Sequence, residues 1–147
     1  MRVFIVFLNV LFFIGCNGGK PAGTAIMPEI KDTDSVEILY FKEAGNQRFY
    51  TYIPSKDKDF INTLIADLDT RSETEKDENT CVKEGKIYMH KKGSIFNTVF
   101  FSYSDNSCKF LRFIKNGKLY YFPISENLRQ RLKDYRPLAT EPVANPK

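Results

Sequence analysis

The clearest alternation of apolar and polar positions lies in the C-terminal half of the chain, in residues 97–125. Two turn signals divide this stretch into three segments of strand length. Asn116-Gly117 is the stronger signal, because both residues tolerate the positive φ that a two-residue type I′ turn requires. The pattern therefore predicts an antiparallel meander on which the rest of the domain packs.

Alternate side chains of the last two predicted strands form one apolar face, which we predict to be the core face. Its members are Leu111, Phe113, Tyr120, Phe122 and Ile124. The favoured register of the preceding strand adds Val99 and Phe101, whereas a slip by one residue would exchange the two faces. The opposite face carries Phe100, Phe110, Arg112 and Tyr121. Aromatic and arginine side chains are enriched in interfaces, so we predict an interaction face there unless a helix covers it.

The upstream pattern supplies further strands and the first helix. Strands are predicted at residues 36–41 and 48–53, joined by a turn at residues 44–46, and a third strand is predicted at residues 85–91. Ser55 is predicted to cap a helix. The apolar residues that follow it at helical spacing are Phe60, Ile61, Leu64, Ile65 and Leu68.

A second helix is predicted to begin after Ser125 and to end before Pro137, with a narrower apolar stripe. The stripe consists of Leu128, Leu132 and Tyr135. Strands joined by short turns pair antiparallel, and amphipathic helices must cover a sheet face. The order of elements thus predicts an α+β fold, a two-layer sandwich in which a mainly antiparallel sheet of about six strands carries two helices on one face.

The N-terminal 15 residues form a secretory signal pattern. Arg2 precedes an apolar run from Val3 to Ile14, which is shorter than the roughly 20 residues that span a bilayer. The end of the run, Phe13-Ile14-Gly15-Cys16, resembles the lipobox of bacterial lipoproteins, although Phe13 replaces the usual aliphatic residue. The alternatives are an ordinary signal peptide with an incidental cysteine and an uncleaved anchor.

The resemblance to lipoproteins implies that Cys16 becomes the first residue of the mature chain. Its thiol would carry a diacylglyceryl group and its amino group an acyl chain such as palmitate, the only attached groups that we expect. By similarity to Gram-negative lipoproteins, Asn17 in place of Asp implies a periplasmic domain held at the outer rather than the inner membrane. We predict a flexible tether at residues 16–33, a single domain at residues 34–137 and a frayed tail at residues 138–147.

If Cys16 carries lipid, two of the three cysteines remain, Cys81 and Cys108. An even pair in an exported domain predicts a disulfide. Two free thiols and a metal pair are the alternatives, but a metal site needs more ligands than the lone His90 supplies, so we predict none. The stretch from residue 69 to residue 80 has no apolar side chain and is predicted to be a solvated loop.

Charge and chemistry narrow the function classes. The chain has 22 basic and 18 acidic residues, mixed along its length, which argues against a nucleic-acid surface. A Ser-His-Asp or Cys-His arrangement could use only His90, and no nucleophile elbow or phosphate-binding loop is present. We therefore predict a lipid-anchored, non-catalytic module that binds a protein or a glycan. The alternatives are an inhibitor or immunity-type protein that acts on an enzyme or toxin, and a hydrolase that uses His90.

Overall fold

The computed structural model describes residues 19–73 and 81–143. The predicted signal peptide, the Cys16 lipidation site and residues 74–80 of the polar loop lie outside these described residues. The elements, in chain order, are helix α1 (Gly23–Ile26), a 3₁₀ turn (Pro28–Asp32), strands β1 (Ser35–Glu43) and β2 (Asn46–Ser55), helix α2 (Lys58–Leu68), strands β3 (Gly85–Lys91), β4 (Ser94–Ser102), β5 (Phe110–Lys115) and β6 (Lys118–Pro123), helix α3 (Glu126–Tyr135) and a second 3₁₀ turn (Arg136–Leu138).

The six strands form one open sheet in the order β2-β1-β3-β4-β5-β6, and every neighbouring pair is antiparallel. Helices α2 and α3 pack on the same face, since Leu64 and Leu132 share one apolar cluster with Ile38, Ile87 and Phe122. The α+β two-layer prediction is confirmed. The sheet therefore has one face covered by the helices and one face that the helices do not cover.

The predicted meander register is confirmed. In β5 and β6, Phe113 pairs with Tyr120 and Leu111 with Phe122, while β4 places Phe101 opposite Leu111. Both turn residues adopt positive φ, 53° at Asn116 and 72° at Gly117, as a type I′ turn requires.

Helix α2, which was predicted to be capped by Ser55, is capped by Asp57 instead. The Asp57 carboxylate accepts from the N–H groups of Asp59 and Phe60, whereas the Ser55 hydroxyl accepts from the Asp57 N–H at 3.1 Å. Strand β2 continues through Pro54 to Ser55, which is tolerated because β2 is an edge strand. Helix α3 begins after Ser125, as predicted, and the Ser125 hydroxyl caps it by accepting from the Leu128 N–H at 3.1 Å.

The N-terminal tether prediction is wrong for residues 21–33. These residues form α1 and the first 3₁₀ turn, and Met27 and Ile30 are buried in the core cluster. The Ser72 N–H donates to the Pro21 carbonyl at 3.1 Å. The polar, proline-containing composition suggests a tether, but its few apolar side chains cover one margin of the core. The folded domain thus begins at about Pro21.

Two segments outside the strands pair with the outer edges of the sheet. Thr140 and Tyr52 exchange backbone hydrogen bonds of 2.8 and 3.0 Å along β2, so the predicted frayed tail is ordered at this point. The Glu73 N–H donates to the Tyr121 carbonyl of β6 at 2.8 Å. Part of the predicted solvated loop therefore belongs to the sheet edge.

Candidate functional site

The face of the sheet opposite the helices, hereafter the open face, is the main candidate for binding. Strand pairing aligns one side chain from each strand across it, in the row Tyr52, Leu39, Lys86, Phe100, Arg112 and Tyr121. Side chains at paired positions point to the same face, so this row identifies residues that belong to the open face.

The structure separates the four residues predicted to form the interaction face. Phe110, Arg112 and Tyr121 are only 1, 3 and 2% exposed, whereas Phe100 is half-buried. A small apolar cluster of Cys81, Cys108, Phe110 and Tyr121 covers this part of the face. The cover is thus the segment around the two cysteines rather than a helix, and Phe100 alone of the four remains partly accessible.

The predicted disulfide between Cys81 and Cys108 is confirmed, with the two Cα atoms 5.3 Å apart. It joins the chain just before β3 to the loop between β4 and β5. Beside it, the Arg112 guanidinium carbon lies 5.8 Å from the ring centres of Phe100 and Phe110 and 6.0 Å from that of Tyr121. Cation–π attraction to three rings gives Arg112 a structural role in this cluster.

The accessible part of the open face carries two lysines placed over aromatic rings. The Lys83 ammonium lies 4.9 Å from the ring centre of Phe100, and the Lys86 ammonium lies 4.8 Å from that of Tyr88. Phe100 and Tyr88 are both half-buried. Within residues 19–73 and 81–143, neither ammonium forms an ion pair with a carboxylate. Among the described residues, no carboxylate therefore competes with a ligand for these two charges.

Glu84 lies between these lysines in sequence, but its carboxylate has other partners. One oxygen accepts from the Ser104 N–H at 2.8 Å, from the Ser102 hydroxyl at 3.2 Å and from the Tyr103 N–H. Burial raises the pKa of Glu84, but these hydrogen bonds outweigh burial and the pKa is lowered overall. The charge of Glu84 thus holds the start of the β4–β5 loop.

Replacing Glu84 with glutamine should make the free energy of unfolding less dependent on pH in the acidic range. A carboxyl whose folded pKa is depressed stabilises the protein above its unfolded pKa, and this contribution is lost as pH falls through the folded value. We expect wild type to be the more stable protein at neutral pH, and its advantage to shrink below the ordinary value of 4.5. Urea denaturation of both proteins between pH 7 and pH 3 measures this. A stability difference that does not change with pH would contradict the role assigned to Glu84.

A groove of about 490 Å³ lies beside Tyr88, since Glu37, which lines the groove, is paired with Tyr88 across the strands. His90 and Glu37 line it, with 4.0 Å between the imidazole Nε2 and a carboxylate oxygen. Ser35 pairs with His90 across the strands, but its hydroxyl donates to Asp34 at 2.7 Å. In the described part of the chain, no hydroxyl lies within hydrogen-bond distance of His90. The groove offers an acid and an imidazole for hydrogen bonding, without an activated nucleophile among the described residues.

The described residues contain no group of three or more histidine, cysteine, aspartate or glutamate side chains that could hold a metal ion. The side chains that β3 adds to the open face were not among the residues predicted from the sequence to form this face. The alternation in Gly85–Lys91 was the available signal, because burying Ile87 and Met89 places Lys86, Tyr88 and His90 on the opposite face.

None of the helices in the described ranges is both long and apolar enough to cross a bilayer. Comparisons with protein-family models, with curated proteins and with solved structures found no match for this chain.

Proposed function

We propose that the chain is a lipid-anchored protein of the cell envelope that acts as a non-catalytic binding module through its open face. The observation that carries this proposal is the placement of both helices on the other face, which leaves Lys86, Tyr88 and Phe100 half-exposed. A sheet surface with partly exposed aromatic rings suits recognition of a protein or glycan surface.

The charges of the open face favour an anionic ligand. The Lys83 and Lys86 ammonium groups are positioned by the rings of Phe100 and Tyr88, and neither is neutralised by a carboxylate of the described residues. Complementary charge steers a ligand towards such a patch and disfavours cationic partners. A carboxylate- or phosphate-bearing surface would contact the lysines, while the exposed edges of the rings supply apolar contact.

Reversing both charges should abolish most of the binding. We expect Lys83→Glu combined with Lys86→Glu to weaken retention of the ligand about tenfold or more, equivalent to about 1.4 kcal/mol, at moderate ionic strength. Retention of purified domain on acidic and neutral polysaccharides, together with capture of proteins from envelope extracts, measures the effect. The ligand of the wild-type protein is thereby identified as a glycan or a protein.

The matched control is Lys115→Glu combined with Lys118→Glu. This pair makes the same change in net charge at the β5–β6 turn, where the two lysines face each other across the strands. Retention should remain close to wild type. Equal retention by all three proteins, or equal losses in both variants, would exclude the open face as the binding surface.

Two alternative functions, an inhibitor and a hydrolase, would each give a distinct experimental result. Capture of one protein in equal stoichiometry, with inhibition of that protein, would support an envelope inhibitor or immunity-type protein. The groove with His90 and Glu37 is the observation that favours a hydrolase as the second candidate. A hydrolytic activity that disappears in His90→Ala would support it.

A further inference from the structure

The link between the proposed lipid and the folded domain is short. Pro21 already accepts a hydrogen bond from Ser72, and Ala22 forms a β-bridge with Arg71. Five Cα–Cα steps separate Cys16 from Pro21. At about 3.6 Å per residue for a fully extended chain, this linker reaches at most about 18 Å. A domain tethered in this way cannot move far from its anchor.

The link also enters the domain at one edge of the sheet. Ser72 holds Pro21, and the next residue, Glu73, pairs with Tyr121 on the outer side of β6. The entry is tightly packed, since a Cβ added at Gly23 would lie 2.3 Å from the Leu68 carbonyl oxygen. The N-terminal segment is therefore held beside the β6 edge from Pro21 onwards.

We propose, on the basis of the lipid anchor at Cys16, that the domain rests on the bilayer surface with the β6 edge towards the lipid headgroups. The β2 edge then points away, about 24 Å farther out, because six strands are separated by five spacings of about 4.8 Å. The sheet stands on edge, so the open face points along the membrane. Its ligand is bound within about 40 Å of the bilayer surface, the sum of linker and sheet width.

The expected partner of the β6 edge is a phospholipid surface that contains anionic headgroups. Arg71 and Lys118 are exposed cations on this side of the domain, and Glu73 is an exposed anion there. Basic residues near an anionic bilayer are attracted to it within a Debye length of its surface. The lipid anchor supplies most of the free energy of membrane binding. The cations favour the orientation in which the β6 edge faces the headgroups over free rotation of the domain about the linker.

Energy transfer from the domain to the membrane tests this orientation. A donor dye is attached at Lys115→Cys on β5 or at Gln47→Cys on β2, after the Cys81–Cys108 disulfide has formed. The lipidated protein is placed in phosphatidylethanolamine vesicles that contain phosphatidylglycerol and acceptor-labelled headgroups. We expect higher transfer efficiency from position 115, corresponding to a distance shorter by about 20 Å.

A spacer variant is the control. Inserting 30 glycine and serine residues between Gly18 and Gly19 gives a flexible linker whose typical end-to-end distance is about 30 Å, so the difference between the two positions should become small. Equal efficiencies with the natural linker, or a higher efficiency from position 47, would overturn the proposed orientation.

Metabolic labelling with a fatty acid separates failure of the orientation from failure of the anchor. The label should enter the wild-type protein and be absent from Cys16→Ala. A wild-type protein without label would end the lipoprotein proposal and the orientation with it. A labelled protein that shows equal transfer efficiencies would remove the orientation alone.

Discussion

Replacing Phe101 with alanine is expected to lower the free energy of unfolding by about 3–5 kcal/mol, the usual cost of truncating a buried phenylalanine. Its side chain is 0% exposed, and its ring centre lies 5.8 Å from that of Tyr40 and 5.7 Å from that of Tyr103. Removing the ring leaves a cavity between the sheet and the helices. Small domains have only about 5–15 kcal/mol of stability, so the variant should be close to unfolding at 37 °C.

Phe100→Ala provides the matched control. Phe100 is the preceding residue of β4, and its side chain lies half-buried on the open face. Its truncation should cost no more than about 1 kcal/mol, since part of the ring already contacts water. Urea denaturation followed by circular dichroism measures both variants. Equal losses would contradict the assignment of the two faces.

Removing the disulfide is expected to have the second largest effect. Cys81 and Cys108 are 27 residues apart in sequence, and closing a loop of that length stabilises the folded state by about 3.5 kcal/mol in the chain-entropy account. Cys81→Ala combined with Cys108→Ala should lose that amount. The disulfide also covers Phe110 and Tyr121, so binding of a hydrophobic dye should increase in the variant.

Adding dithiothreitol to the wild-type protein should reproduce the lower stability of the double variant. The same reagent should leave the double variant unchanged, which separates loss of the disulfide from loss of cysteine packing. A loss of less than about 1 kcal/mol in both experiments would show that the disulfide contributes little to folding.

The strands and helices were predictable because their signals are local. Asn116-Gly117 sets the β5–β6 register through the geometry of a two-residue turn. That register determines which side chains of the two strands face the core. The stripe that includes Phe60 and Leu64 needs only helical spacing to identify a buried face. In both cases, the relevant residues lie within a few positions of one another.

The parts that could not be predicted depend on contacts distant in sequence. Met27 and Ile30 lie in short turns without periodicity, and only their packing against the sheet shows that they belong to the core. Glu84 would be expected to neutralise Lys83 or Lys86, yet the β4–β5 loop takes up its carboxylate. Neither outcome follows from composition or from spacing along the chain.

The pairing of Thr140 with β2 and of Glu73 with β6 has a consequence for protein at high surface density. An uncovered edge strand presents unpaired backbone groups to a second chain and promotes aggregation. Lipidated molecules diffuse in two dimensions, where collisions between neighbours are frequent. Here both outermost strands already have a partner at one position, Tyr52 on β2 and Tyr121 on β6. Under the proposed lipid anchor, these two pairings would lower the tendency of the sheet to extend into a neighbouring copy on the membrane.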